Sequence, residues 1–138
     1  VLCIIGDGAM GFHPQEVETA LRNQLHVVYI VLCDKQWGMV KMNQHFALRP
    51  IKTMIKKTLD PHESINADLG EIRFDLLAEA MGGHGEYVNN VNDLQVALER
   101  SIQVGKCTVI HCEVDPVKHM WAPGLRYFKD MHAEPKGK

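Results

Sequence analysis

Apolar residues along this chain fall in blocks whose period changes from block to block. Val1–Ile5 is a continuous apolar run cut off by Gly6. His26–Leu32 is a second, rich in Val and Ile, and Cys107–Val114 is a third. Unbroken runs of this length read as strands buried in a parallel sheet. A short strand is expected over Glu86–Val88. Elsewhere the spacing is helical. Pro14 to Asn23 reads as a helix with Pro14 at its first position, and Val17, Leu21 and Leu25 mark its apolar face. Gln36 to about Leu48 reads as another, with Met39, Met42 and Phe46 at helical spacing. Phe74–Met81 is a helix ended by Gly82-Gly83, and a last helix runs from a cap at Asn92 to about Val104, ended by Gly105. Arg49 to Ile72 breaks the pattern with Pro50, Asp60-Pro61 and the polar stretch Ser64–Asp68; it reads as a short helix and a long loop, a lid. Strands alternating with helices predict an α/β fold, a three-layer α/β/α arrangement around a mostly parallel sheet.

At 138 residues the chain is read as one domain, 1–138, with an irregular tail over 115–138 that carries Pro116, Pro123 and Pro135. A net charge of −2 gives no general attraction to nucleic acid or to a membrane surface. The local cluster Lys52, Lys56 and Lys57 is read as a solvated helix face. No apolar stretch has the length of a membrane helix, and no signal-peptide pattern is present. Cys3, Cys33, Cys107 and Cys112 sit in strand-like runs with no C-x-x-C, which predicts buried free thiols and a cytoplasmic setting. The eight histidines show no metal-ligand spacing. Val1 lies already inside a strand with no initiator Met, which leads us to expect sequence upstream.

The chemistry concentrates in GDGAMGF at 6–12 and CDKQWGM at 33–39. Each follows an apolar strand, and each carries an acid, Asp7 or Asp34. A glycine turn after a buried strand lets a phosphate approach the backbone closely. A carboxylate in that turn repels the phosphate unless a cation lies between them. Two such carboxylates at neighbouring strand ends point to a shared Mg²⁺ or Ca²⁺ with oxygen ligands. Gly6-Asp7-Gly8-Ala9-Met10-Gly11 also fits the dinucleotide fingerprint G-x-G-x-x-G. Against that reading, Phe12-His13-Pro14 separate the glycines from the expected helix start, and Asp7 has no task in metal-free pyrophosphate binding. A plain glycine turn is the third reading.

At these residues the chain resembles the thiamine diphosphate-dependent enzymes, most closely the acetolactate synthase, pyruvate oxidase and pyruvate decarboxylase group. The signature is GDG followed by Asn or Asp after a spacer in the twenties, and Asp34 follows Asp7 by 34 − 7 = 27 residues. QEVETALR at 15–22, WGM at 37–39, FDLLAEAMGGHGEYVNNVNDLQVALE at 74–99 and VIHCEVDP at 109–116 carry the likeness further. The resemblance implies a thiamine diphosphate-binding fold truncated on its N-terminal side. It implies thiamine diphosphate and Mg²⁺ as cofactors, with Asp7, Asp34 and the Gln36 carbonyl as metal ligands. Gly8 and Ala9 would offer backbone N–H groups to the diphosphate, Met39 would lie near substrate, and Gly6, Met10 and Gly38 complete the cofactor-binding set. Asn43 stands where anabolic acetolactate synthases place a Trp, so their preference for a larger second keto acid does not carry over. The resemblance also implies a 2-keto acid substrate, a pyrimidine-binding domain or subunit supplying the activating glutamate, and a homo-oligomer. No residue of this chain is assigned a catalytic role, and His13 is read as a surface or capping residue. The alternative is a stand-alone noncatalytic domain that binds a ligand or another subunit.

Overall fold

The computed structural model describes residues 1–48, 50–56 and 65–118. Its strands are Leu2–Gly6 (β1), Val28–Cys33 (β2), His84–Val88 (β3) and Thr108–Glu113 (β4). Its helices are Asp7–Met10 (α1), Glu16–Arg22 (α2), Gly38–Leu48 (α3), Pro50–Lys56 (α4), Phe74–Ala80 (α5) and Val91–Val104 (α6). The strands pair in the order β1-β2-β4-β3, every pair parallel. Parallel neighbours need crossover connections, so helices lie on both faces. The expected α/β layering is present.

Two apolar clusters hold the layers together. On one face Val31, Cys33 and Val109 pack with Val17 and Ala20 of α2 and with Phe74 and Ala78 of α5. On the other, Val28, Ile30, Ile110 and Cys112 pack with Leu94, Ala97 and Leu98 of α6. β4 is central and its first five residues are buried, as a strand covered on both sides should be.

β1 corrects the expectation of a fully buried strand. Leu2 and Ile4 are 53% and 65% exposed. Their register partners are Val28 and Ile30, which places them on the α6 face at the sheet edge. The α6 layer packs over β3 and β4 and leaves these side chains open. Ile5, on the opposite face, packs against the α2 cluster.

Other boundaries shift for local reasons. A helical turn, α1, starts at Asp7, where none was expected. α2 begins at Glu16, and Pro14 lies in the turn before it, its carbonyl accepting Val17 N–H at 3.2 Å. Leu25 falls beyond α2 and is exposed, so Val17 and Ala20 make the buried face. The cap of α6 is Asn90, whose side chain accepts the Asp93 N–H at 3.0 Å, not Asn92. Gly105 ends α6 at φ 68°, the left-handed conformation a helix terminus asks of glycine. Cys33, Cys107 and Cys112 are buried free thiols, and Cys3 is half-buried. Within the expected lid, Pro50–Lys56 is helical, while residues 49 and 57–64 lie outside the described residues. Lys57, the side chain of Lys56 and tail residues 119–138 lie outside them too. Among the described residues no helix is long and apolar enough to cross a membrane.

Candidate metal and diphosphate site

The site forms where β1 and β2 end. Gly6 closes β1 in extended backbone, and the chain turns directly into α1. Asp7, 9% exposed, is held through both carboxylate oxygens. Its Oδ1 accepts the Gly8 N–H and its Oδ2 the Lys35 N–H, each at 2.8 Å. Lys35 itself has φ 58°, a left-handed conformation that turns the chain sharply out of β2 and costs a non-glycine residue roughly 1–2 kcal/mol. That conformation is pinned from outside. The Leu69 N–H donates to the Lys35 carbonyl at 2.8 Å, and the Lys35 ammonium lies between Glu71 (3.1 Å) and Glu113 (3.4 Å).

Gly6, Asp7, Gly8, Ala9, Asp34, Gln36, Gly38 and Met39 line one cavity of about 390 Å³. The structure thus gathers the expected residues, with one exception. Met10 is 4% exposed and packs in the core against the α2 cluster. Met42 is likewise core, whereas Met39 is 39% exposed at the cavity wall. The Gln36 side chain is buried and engaged: its Nε2 donates to the Pro116 carbonyl at 2.7 Å. The Gly8 N–H, expected to face a phosphate, is donated to Asp7 here. Gly8 also has a second task. A Cβ built on it would lie 2.7 Å from Cζ3 of Trp37, whose ring covers the turn and packs on Phe12. His13 is exposed, its Nδ1 3.3 Å from Gln15 Nε2, as a surface residue should be.

Behind Asp7, Gly8 and Trp37 lies a second cavity of about 190 Å³, lined also by Cys33, Phe74 and His111. Burial, then the charge of Asp7, pushes the Cys33 thiol up to about 12, so it stays protonated. His111 is 1% exposed; its Nδ1 accepts the Phe74 N–H at 3.4 Å and lies 3.4 Å from Cys33 Sγ. Burial lowers its pKa below the usual histidine range. At neutral pH both groups are therefore held uncharged.

Sequence reasoning missed the support. Residues 66–69 run antiparallel to the turn after β2: Gln36 bridges Asp68, and the Trp37 N–H donates to the Ala67 carbonyl at 2.8 Å. The available signal was Asn66-Ala67-Asp68, since Asn tolerates the left-handed conformation found at Asn66 (φ 51°). Among the described residues no group of three or more His, Cys, Asp or Glu is arranged to hold a metal ion by itself. Asp7, Asp34 and Gln36 all line the cavity; two carboxylates with a backbone carbonyl would be a hard-oxygen set that suits Mg²⁺ once ligand oxygens and water complete it.

Comparison with known proteins bears on this geometry. Residues 1–112 match the family model described as thiamine pyrophosphate enzyme, C-terminal TPP binding domain. The acetolactate synthase large subunit of Mycobacterium tuberculosis is 32% identical over 117 residues, covering 84% of this chain and 19% of that protein. The sulfoacetaldehyde acetyltransferase of Alcaligenes xylosoxydans xylosoxydans is 32% identical over 110 residues, covering 76% of this chain and 16% of that protein. Among solved structures, benzoylformate decarboxylase from Polynucleobacter necessarius superposes with a TM-score of 0.66 at 20% identity, over 84% of this chain and 20% of that one; it bears on the fold. The chain spans about a fifth of the length of the relatives it matches. The match across both motifs and the sheet between them decides against a dinucleotide-binding domain: the chain belongs to the family of thiamine pyrophosphate enzyme C-terminal TPP-binding domains.

Proposed function

We propose that this chain binds thiamine diphosphate through Mg²⁺, as the diphosphate-holding part of a 2-keto acid decarboxylase or carboligase resembling acetolactate synthase. The observation that carries this reading is the shared cavity in which Asp7, Asp34 and Gln36 meet at two strand ends. Asp7 and Asp34 would each give the metal a carboxylate oxygen, and Gln36 its backbone carbonyl. Two backbone amides orient the Asp7 carboxylate and leave its remaining lone pairs for a cation. The Ala9 N–H lies in the first turn of α1, where no partner exists within the helix, and would meet a phosphate oxygen. Gly6 and Gly38 leave the cavity walls without side chains. Thiamine diphosphate, when bound, supplies carbanion stabilisation at the keto acid carbon.

Met39 would face the substrate from the cavity wall. Asn43, exposed on α3, leaves the acceptor specificity of anabolic acetolactate synthases unsupported. The relatives' names span an acetolactate synthase and an acetyltransferase, so the reading stops at 2-keto acids as a class.

The activating glutamate would come from a pyrimidine-binding domain or subunit, so the chain alone would not turn over substrate in its cytoplasmic setting. Pyruvate consumption above buffer that co-purifies with the isolated chain would contradict this. The uncovered Leu2 and Ile4, with Met39 and Val40, support association with that domain or a further copy. Sedimentation showing monomer alone at high concentration would argue against self-association. The cofactor reading is tested by calorimetric titration of thiamine diphosphate, with Mg²⁺ and with chelator. Binding is expected with the metal and not without it; equal binding in both would overturn the reading.

A further inference from the structure

Lys41 sits on α3 one turn beyond Trp37, its N–H donating to the Trp37 carbonyl at 2.9 Å. Its side chain is 7% exposed. A buried ammonium is costly unless paired, and an apolar side chain of the same length would pack there more cheaply. The partner is Asp68, with Oδ1 2.5 Å from Nζ and a side chain that is 52% exposed. Asp68 belongs to the segment that grips the turn after β2. On one side of it the Ala67 carbonyl, in a residue with no exposure, takes the Trp37 N–H; on the other the Leu69 N–H holds the Lys35 carbonyl. Lys35 in turn donates to Asp7. A continuous set of contacts therefore runs from the Lys41 ammonium to the Asp7 carboxylate and to the backbone of Gln36.

We propose that Lys41 is a positioning residue: its ion pair with Asp68 locks residues 66–69 against Lys35–Trp37, and so sets the Asp7 carboxylate and the Gln36 carbonyl for Mg²⁺. This rests on the metal–diphosphate reading of the site. A partner that only stabilised the fold would act on the whole molecule. A positioning lock acts on two amides and on the metal-dependent step.

The experiment compares wild type, Lys41→Met and Lys41→Arg by amide hydrogen exchange and by titration of thiamine diphosphate with Mg²⁺. Lys41→Met removes the charge, keeps the length and leaves Asp68 able to reach water. Exchange at the Trp37 and Leu69 amides should rise about tenfold, with β4 unchanged. Metal-dependent affinity should fall about tenfold, the size seen when groups supporting metal ligands are lost. Lys41→Arg should restore most of both. If Lys41→Met does not fold, Asp68→Asn, altered from the exposed side, is read by the same two measurements. Unchanged exchange at Trp37 and Leu69 would overturn the lock. Faster exchange with unchanged affinity, or no recovery in Lys41→Arg, would overturn the positioning role. Wild type that binds no thiamine diphosphate with Mg²⁺ would defeat the site reading and the positioning role together, while the exchange data still report on the lock.

Discussion

Gly8→Ala should destabilise the protein through one side chain. The added Cβ would lie 2.7 Å from Cζ3 and 2.9 Å from Cε3 of Trp37. Carbon atoms rest at about 3.5–4.0 Å, so the ring must retreat by nearly 1 Å. That movement loosens the ring's packing on Phe12, 5.4 Å away between centroids, and pulls against the Trp37 amide fixed to Ala67. Overpacking of this kind costs about 1–3 kcal/mol. Replacing glycine in a helical turn returns roughly 0.5–1 kcal/mol. The net expectation is a loss of about 1–2 kcal/mol, or roughly 3–8 °C in Tm for a chain of this size. Calorimetric melting of wild type, Gly8→Ala, Trp37→Leu and the double variant measures it. In the Trp37→Leu background the alanine should cost nothing or stabilise slightly. Equal melting of Gly8→Ala and wild type, or the same cost in both backgrounds, would rule out the clash with Trp37.

His111 predicts a pH dependence. Its folded pKa lies below the unfolded value of 6.5, so its contribution is complete above about pH 6.5 and is lost as pH falls below that towards the folded value. Denaturant titrations from pH 7 to 5 should show a slope of up to about 1.4 kcal/mol per pH unit that flattens in His111→Gln; an identical slope in the variant would exclude His111 as its source. Asn90→Ala should cost about 1 kcal/mol by loss of the α6 cap, while Asn92→Ala should be near neutral; urea denaturation of both checks this, and the reverse order would put the cap at Asn92.

Much of the fold could be read from the apolar runs. β2 and β4 are central, and their continuous Val, Ile and Cys stretches report burial on both faces. The same signal misled at β1, because an apolar run does not say whether a helix reaches that part of the sheet. α1 was missed because four residues are too few for a period, and a turn starting on Asp7 is set by the Gly8 and Lys35 amides. Asn90 and Asn92 are equally good caps on paper; the start of the helix decides between them. That Asp7 and Asp34 lie together at one cavity was legible, since each follows an apolar run that ends at the same edge of a parallel sheet. Lys35, Lys41 and the Ala67–Leu69 support were not, because they act through left-handed backbone and contacts across more than 25 residues.

A metal-bridged diphosphate and a dinucleotide make opposite demands on Asp7 and Asp34. Asp34→Asn keeps an oxygen ligand and should bind thiamine diphosphate with Mg²⁺ within about threefold of wild type, well under the cost of a lost charged contact. Asp7→Asn loses charge at the metal and one of the two acceptors that hold the Gly8 and Lys35 amides. It should bind at least about tenfold more weakly, matching the 1.5–3 kcal/mol of a charge-assisted contact. A dinucleotide site would give the reverse, with Asp34 needed for a ribose hydroxyl and Asp7→Asn relieving repulsion. Calorimetric titration of both variants with thiamine diphosphate and Mg²⁺, and with NAD in chelator, separates the two. Asp7→Asn should bind far more weakly than Asp34→Asn, with no NAD binding in either; tighter NAD binding in Asp7→Asn, with no metal-dependent thiamine diphosphate binding in wild type, would overturn the metal–diphosphate site.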